Sequence, residues 1–447
     1  MDSRTTRREF LRSAAVAGAG ALAVGCGMPT YKKGTGPLIQ VRRLKPDQKL
    51  NIGIVGVNHR GGSNMRSVSS QNIAALCDID EKYLAAAKKK HPNAKTYIDW
   101  REMIEQPGLD AVVCSTADQV HAFVCVHAMR RGLHVYCEKP LAHSVSEARL
   151  VRDTYNSVKG HGVRTQMGTQ IHAGNNYRRV VELVQSGAIG PVREAHVWCG
   201  RRGPGGVLPE GEDPLPENLH WDLWLGPAPY RPYNRKYMPG NMTWNRYWDF
   251  GNGTLGDMGS HLIDLPFWAL KLRQPLTCEA KGEPAKASPY TNPKWLMATW
   301  EHPARGDMPP VKLTWYDGIK QPPSPEGVDL KKWHIGCMFV GDKGTLVADY
   351  GKHVLLPKAK FSGFKPPKPW IAKSRGHHNE WIHACKTGDD TLCNFDYSGM
   401  LIEHNLLGNV AYRVGKKLVW DPKHLRASNC PEADKFIRRA YRKGWTL

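Results

Sequence analysis

Between Leu50 and Gln170 short apolar runs alternate with longer stretches of helical periodicity. "LNIGIVGV", "NIAALCDID", "LDAVVCST", "LHVYCEKP" and "GVRTQMGTQ" have the length of strands, and "QVHAFVCVHAMRRG" has the spacing of a helix. This alternation predicts a parallel sheet built from β-α-β units. "HSVSEARLVRDTY" adds a helix start, because Ser144 and Glu147 stand at capping-box spacing.

After residue 170 the pattern changes. A helix ("NYRRVVELVQSG") and a strand ("VREAHVWCG") are followed by a stretch rich in Gly, Pro, Trp and Tyr, from about 201 to 252. So long an irregular stretch inside a domain is usually functional or poorly ordered. "KLTWYDG", "CMFVGDKGTLVAD" and "HVLLP" then predict a largely antiparallel sheet, and "NEWIHACKTG" and "MLIEHNLLGNVAYRVG" predict helices near the end. The expected layout is a leader over 1–30, a tether over 31–48, a first domain over 49–170 and a second over 171–447.

The leader "TTRREFLRSAAVAGAGALAVGC" resembles a twin-arginine export signal: Arg7 and Arg8 precede a weakly apolar segment too short to span a bilayer. "AVGC" resembles a lipobox, with Cys26 as the lipidated residue and ordinary cleavage nearby as the alternative. The expectation is export by the Tat route to the periplasm, with membrane attachment through Cys26 as the variant case.

A formal net charge of +22 admits nucleic acid, an anionic surface or an acidic glycan as partner. The basic residues are scattered, with no like-charge block and no nucleic-acid motif, so a well-solvated basic surface is the expectation and no nucleic acid is expected. Eleven cysteines include no C-x-x-C pair, and Cys77, Cys114 and Cys137 lie in or beside apolar runs. Neither a disulfide framework nor a zinc ribbon is expected.

The first strand leads into "GIVGVNHRGGSN". A strand, a glycine turn and a helix bring backbone N–H groups and the helix dipole to a pyrophosphate. The pattern is Gly56-x-Asn58-x-x-Gly61, with asparagine at the middle position, where it tolerates left-handed geometry best after glycine. His59 and Arg60 are candidate phosphate donors. Asp78 ends the second run, where a carboxylate accepts ribose hydroxyls and repels a 2′-phosphate. This favours NAD over NADP. A Gly-rich turn alone is often only a turn, and Asp78 alone a loop aspartate; their order with the strands and helix carries the reading.

"STADQVH", "CEKPL" and "GNGTLGDMGSH" follow in order, and with them the chain resembles the Gfo/Idh/MocA oxidoreductases. The departures are Asn58, Ala117 for the usual proline, Asn252 for the middle glycine, and Arg246, one place late after "TWN". The resemblance implies an α/β fold: an N-terminal Rossmann domain with a doubly wound parallel sheet, then an α/β domain whose open antiparallel sheet often forms a homo-oligomer interface. It places Ser115, Thr116, His121, Glu138 and Gln170 near the cofactor, Lys139 at the nicotinamide, and a cis bond at Lys139–Pro140. It also implies a sugar or cyclitol as the small-molecule substrate, lying between the domains.

Oxidising a secondary alcohol requires a hydride acceptor and a base for the hydroxyl proton. Asp257 and His261 stand at i and i+4, one face of a helix, which predicts a carboxylate orienting an imidazole general base. Lys139 is the group expected to stabilise the alkoxide. Trp198, Arg246, Trp248 and Asp264 complete the expected substrate contacts, beside Lys139, Asp257 and His261 themselves. Among Trp221, Trp224, Tyr230, Tyr233, Tyr237, Trp244 and Trp248, flat rings suit sugar faces, while core packing explains most of them. "GHHNEWIH" does not match a zinc spacing, and no metal is expected. The leading expectation is a sugar or cyclitol oxidoreductase with a held, internally recycled NAD. The alternatives are a glycosidase that oxidises its substrate transiently, and a sugar- or nucleotide-binding protein with a dead site.

Overall fold

The apolar runs of the first half become strands with little or no solvated face; Asn51–Val55, for example, is buried at every position after its first. The structure, a computed structural model, describes residues 41–447 apart from 43, 46, 204, 239 and 285–288. The twin-arginine segment and Cys26 lie outside the described residues. Strands β1 (Asn51–Val55), β2 (Asn72–Cys77), β3 (Lys95–Tyr97), β4 (Ala111–Cys114), β5 (His134–Cys137) and β6 (Thr165–Met167) form one sheet. Its order is β3-β2-β1-β4-β5-β6 and every pair is parallel. That is the doubly wound arrangement with a switch point between β1 and β4, the place where such sheets bind ligands.

The helices between these strands are α1 (His59–Ser67), α2 (Glu81–Lys90), α3 (Trp100–Ile104), α4 (Asp118–Arg130) and α5 (Val145–Val158). The capping box is present on α5: the Ser144 hydroxyl accepts from Glu147 N, and the Glu147 carboxylate accepts from Ser144 N. Helix α6 (Asn175–Gln185) then leads to the second sheet.

That sheet has nine strands: β7 (Val192–Cys199), β8 (Thr277–Gly282), β9 (Leu296–His302), β10 (Val311–Asp317), β11 (Ile335–Gly341), β12 (Gly344–Ala348), β13 (His353–Leu356), β14 (Leu418–Asp421) and β15 (Arg426–Ala427). All described pairs are antiparallel except β7 with β10. Strands β8, β9 and β14 carry no expectation from the sequence reading. Between β7 and β8 lie α7 (Trp221–Leu225), α8 (Asn241–Trp244), α9 (Gly253–Leu262) and α10 (Asp264–Ala269).

The stretch over 201–252 builds a small aromatic core of its own. Trp221 stacks on Trp224 with centroids 4.5 Å apart, and Tyr237, Tyr247 and Phe250 pack edge to face beside them. Two later helices return to the first half of the chain. Helix α11 (His377–Thr387) packs Trp381, Ile382 and Cys385 against Leu50, Ile52 and Ile54, and α12 (Phe395–Val414) lies along α5. A last short helix, α13 (Asp434–Ile437), follows β15. The ten described cysteines are buried and unpaired.

Among the described residues burial holds at least eight histidines neutral, with His143 and His302 well below the ordinary value. It pushes His261 and His377 down to about 3, and His127, His134, His378 and His404 down to about 4. Burial pushes Asp118 and Asp317 up to about 7, which acts in the opposite sense. Between about pH 4 and 6.5 the unfolded chain protonates these histidines near 6.5 while the folded chain does not, so unfolding takes up protons and stability falls with pH. The two aspartates offset only part of this, each proton being worth about 1.4 kcal/mol per pH unit. Urea titrations at pH 7.5 and 5 should therefore show lower stability at pH 5; equal or greater stability there would contradict the buried neutral histidines.

Candidate active site

The loops at the carboxyl ends of β1, β2, β4 and β5, with helix α9, enclose a cavity of about 540 Å³. The turn after β1 is shaped by two glycines. Gly56 has φ +82°, and a Cβ there would stand 2.6 Å from the Ser115 carbonyl oxygen. A Cβ at Gly61 would stand 1.9 Å from the Gly56 oxygen, so α1 could not sit this close to the turn. Asn58 is extended (φ −112°, ψ 174°), and the left-handed residue is His59, with φ 45°. The expected left-handed asparagine is thereby corrected: the strained position lies one residue later, at the first residue of α1.

Asp78 stands at the end of β2 on the cavity wall. Its carboxylate accepts from Val57 N at 2.9 Å and Asp80 N at 3.0 Å, which ties the second strand to the glycine turn. Asn58, His59 and Arg60 line the cavity beside it, and Ser115 and Thr116 line it from the end of β4. Tyr83, which the sequence reading did not single out, meets the His59 ring edge-on and closes this end. A turn that lacks Cβ atoms at Gly56 and Gly61, a helix N-terminus and an acidic strand end in one cavity fit the pyrophosphate and adenosine ribose of NAD.

Glu138, at the end of β5, gathers the opposite wall. Its carboxylate accepts from Arg60 Nε at 2.9 Å, Asn64 Nδ2 at 3.0 Å and Gln170 Nε2 at 2.9 Å. Burial opposes its charge, but Arg60 and Lys139 outweigh burial and hold it below the usual carboxylate range. Gln170 does not line the cavity; it spans Tyr136 and Glu138, so its expected cofactor contact is corrected to a brace on Glu138. His121 is corrected in the same way. It is buried, its Nδ1 lies 2.7 Å from the Pro140 oxygen and its Nε2 3.0 Å from the Thr116 oxygen, and it fastens the ends of β4 and β5 together.

Lys139 follows Glu138 and precedes a cis bond to Pro140. Its ammonium pairs with Asp257 on α9, and Arg201, just past β7, pairs with the same carboxylate. Burial disfavours the Asp257 charge, yet Lys139 and Arg201 together hold the group well below its ordinary range. The expected Asp257–His261 dyad is not formed among the described residues; the carboxylate is instead held by two cations, one on each oxygen. His261 lines the cavity one turn further along, and its Nδ1 is buried without a hydrogen-bond partner. Burial, then the Lys139 charge, hold this imidazole neutral, at about 3. Arg201 was missed by the sequence reading; the only signal was a pair of arginines after an apolar strand.

Four expected substrate contacts lie elsewhere. Trp198 is fully buried among Tyr316, Met338 and Val347, and its Nε1 donates to the Trp333 oxygen at 2.7 Å. Trp248 lines a different cavity. Asp264 is buried, lies 2.9 Å from His172 Nδ1 and accepts from the Tyr397 hydroxyl at 2.7 Å. Arg246 lies over the Tyr247 ring, 6.0 Å from its centroid, and does not line the cavity; its neighbour Asn245 does, and also accepts from Asn252 N and Gly253 N at the start of α9. Of the seven aromatic candidates, Trp224 and Trp244 line the cavity. The histidines of "GHHNEWIH" have separate partners: Met167 O for His377, Asn64 for His378 and Asp389 for His383.

Two family models match the chain in order. Residues 50–169 match the Gfo/Idh/MocA model described as an oxidoreductase family with an NAD-binding Rossmann fold, and 196–285 match that family's C-terminal alpha/beta domain. A glycosyl hydrolase family 109 protein of Solibacter usitatus is 30% identical over 201 residues, 42% of this chain and 44% of its own length. An inositol 2-dehydrogenase/D-chiro-inositol 3-dehydrogenase of Lactiplantibacillus plantarum is 29% identical over 145 residues, 31% of this chain and 41% of its own. The chain thus spans less than half the length of either relative. Among solved structures, the WlbA dehydrogenase of Bordetella pertussis in complex with NADH and UDP-GlcNAcA has TM-score 0.59 at 16% identity, over 84% of this chain and 98% of that one. This last likeness shows the fold.

Asp78 provides a direct test of the nucleotide wall. Asp78→Asn removes the charge that would repel a 2′-phosphate, so titration calorimetry should show the ratio of NAD to NADP affinity falling about tenfold. An unchanged ratio would place the adenosine ribose elsewhere.

Proposed function

We propose that this chain, which carries both domains of the Gfo/Idh/MocA oxidoreductases, is an NAD(H)-dependent enzyme acting on a secondary hydroxyl of a sugar or cyclitol. The observation that carries the reading is the placement of Lys139 and His261 in the same cavity as the glycine turn and Asp78. The names of the relatives support it: an inositol dehydrogenase by sequence, and a dehydrogenase with NADH and a nucleotide sugar by fold.

Bound against the turn, NAD⁺ supplies the hydride acceptor for the carbon that bears the hydroxyl. The remaining work falls to side chains. Asp257 and Arg201 fix the Lys139 ammonium, which donates to the substrate oxygen and stabilises the negative charge that grows there as its proton leaves. His261 is neutral, lines the cavity, and is the acceptor for that proton. Glu138 keeps Arg60 and α1 in place beside it.

The twin-arginine pattern adds a further element to the proposal. A protein exported folded has little free NAD to draw on, so the cofactor stays bound and is reoxidised by a second substrate. A second reading has a specific support in the family 109 glycosyl hydrolase relative. In that reading the glycosidic bond is lost by elimination from the transiently oxidised sugar, water adds to the resulting double bond, and the hydride returns to the carbonyl, with no net redox change. Mass spectrometry of the denatured protein should release NAD(H) in stoichiometric amount. Incubation with sugar pairs should then yield matched oxidised and reduced products, whereas release of sugar from an aryl glycoside without redox change would favour the second reading.

Two outcomes test the residue roles. Lys139→Ala should retain NAD while turnover falls at least about a hundredfold; normal turnover would remove Lys139 from the reaction. A base must be unprotonated to act, and His261 is held far below 6.5. The acid limb of kcat/KM should therefore fall below pH 6.5 in the free enzyme. A limb at 6.5 or above would mean that another group takes the proton.

A further inference from the structure

A second cavity, of about 230 Å³, lies on the far side of Asn252. Asn252 lines it and donates through Nδ2 to Asp118, on the wall of the first cavity, at 3.3 Å. The walls come from the start of α5, the segment before α9, the second half of α12, and α13 with Arg439 and Ala440 just after it.

Three cations face this space. The Arg413 guanidinium carbon lies over two aromatic rings, 5.1 Å from the Trp248 centroid and 4.2 Å from that of Phe436. Stacking of this kind fixes the guanidinium plane and leaves its N–H edge for a planar or tetrahedral oxyanion. Arg413 makes no hydrogen bond or ion pair with the described residues, and burial, only partly countered by Asp249, pushes it down to about 10. Lys435 lies 5.0 Å from the Phe436 ring and forms no ion pair among the described residues. Arg439 spends one edge on Glu147 and the Gln119 oxygen, while its Nη1 is buried with no partner.

The carboxylates nearby are already engaged. Asp249 pairs with Arg231. Glu147 accepts from Arg439 and from the His143 and Ser144 amides. Here the partly buried Arg413 and Arg439 and the exposed Lys435 line one concavity beside Leu406, Val410 and Trp248. Holding a partly desolvated guanidinium such as Arg413 without a counter-charge is unfavourable unless an anion completes it.

We propose that this cavity is a second binding site, for a small molecule bearing an oxyanion, with Arg413, Lys435 and Arg439 as its donors. A carboxylate and a phosphate share the required chemistry, and the probes distinguish them. The purified full chain is titrated at constant ionic strength with inorganic phosphate, sulfate and sodium D-glucuronate, and with D-glucose as the neutral control, by calorimetry and thermal unfolding. At least one oxyanion should bind saturably at millimolar concentration and raise Tm, while glucose and added chloride do not. Binding should weaken about tenfold in Lys435→Ala and in Arg413→Gln and persist in Lys139→Ala. The Lys435 side chain is on the surface, so its variant remains informative even if Arg413→Gln fails to fold. No saturable binding of any probe, or binding unchanged in Lys435→Ala, would overturn the proposal. Binding abolished by Lys139→Ala would assign the anion to the first cavity instead.

Discussion

A buried carboxylate between two cations organises one wall of the main cavity. Asp257 sits on α9 with almost no exposure, and Lys139 from the end of β5 and Arg201 from the end of β7 converge on it. The three residues come from three elements and from both sheets, so the same contact fixes the helix, the parallel sheet and the long segment that follows β7. Loss of either cation leaves Asp257 paired with the other, whereas loss of the carboxylate would leave two cations facing each other without a counter-charge. The arrangement also sets the state of its neighbour. His261 is neutral because it is buried and because the adjacent charge that faces it is the Lys139 ammonium.

A second polar centre lies one residue away. Glu138 collects Arg60 and Asn64 from α1 and Gln170 from beyond β6, and Asn64 also donates to Ser115. The contacts of the dipeptide are divided: its glutamate holds Arg60 and Asn64 of α1 beside the glycine turn, and its lysine pairs with Asp257 on α9. His121 adds the third fastening, bridging the ends of β4 and β5 through two carbonyl oxygens. The cavity is therefore lined by side chains whose positions are set by hydrogen bonds to other elements, which is the condition for electrostatic preorganisation.

The long aromatic segment serves packing more than recognition. Most of its rings are spent on one another, leaving Trp224 and Trp244 at the cavity wall. This gives an irregular chain enough buried apolar surface to hold a fixed shape without regular hydrogen bonding. Its far end, through Trp248 and Asp249, faces the second cavity, so one segment borders both.

The sequence alone determined the order of the parallel strands' elements, the capping box on α5, the glycine turn and the acidic residue after the second strand. These rest on local patterns: unbroken apolar runs, a Ser–Glu spacing and the absence of Cβ atoms at Gly56 and Gly61. It could not show which partner Asp257 would choose, since a spacing of four on a helix allows a contact with His261 but cannot weigh it against cations arriving from 118 residues and 56 residues away. The same limit explains Trp198, Trp248 and Asp264, whose types suit a sugar but whose sides of the sheet or helix face inward or toward another cavity. It explains Arg201, which has no motif. Pairing over such distances is decided by where the two sheets place the ends of β5 and β7, and only the tertiary structure contains that geometry.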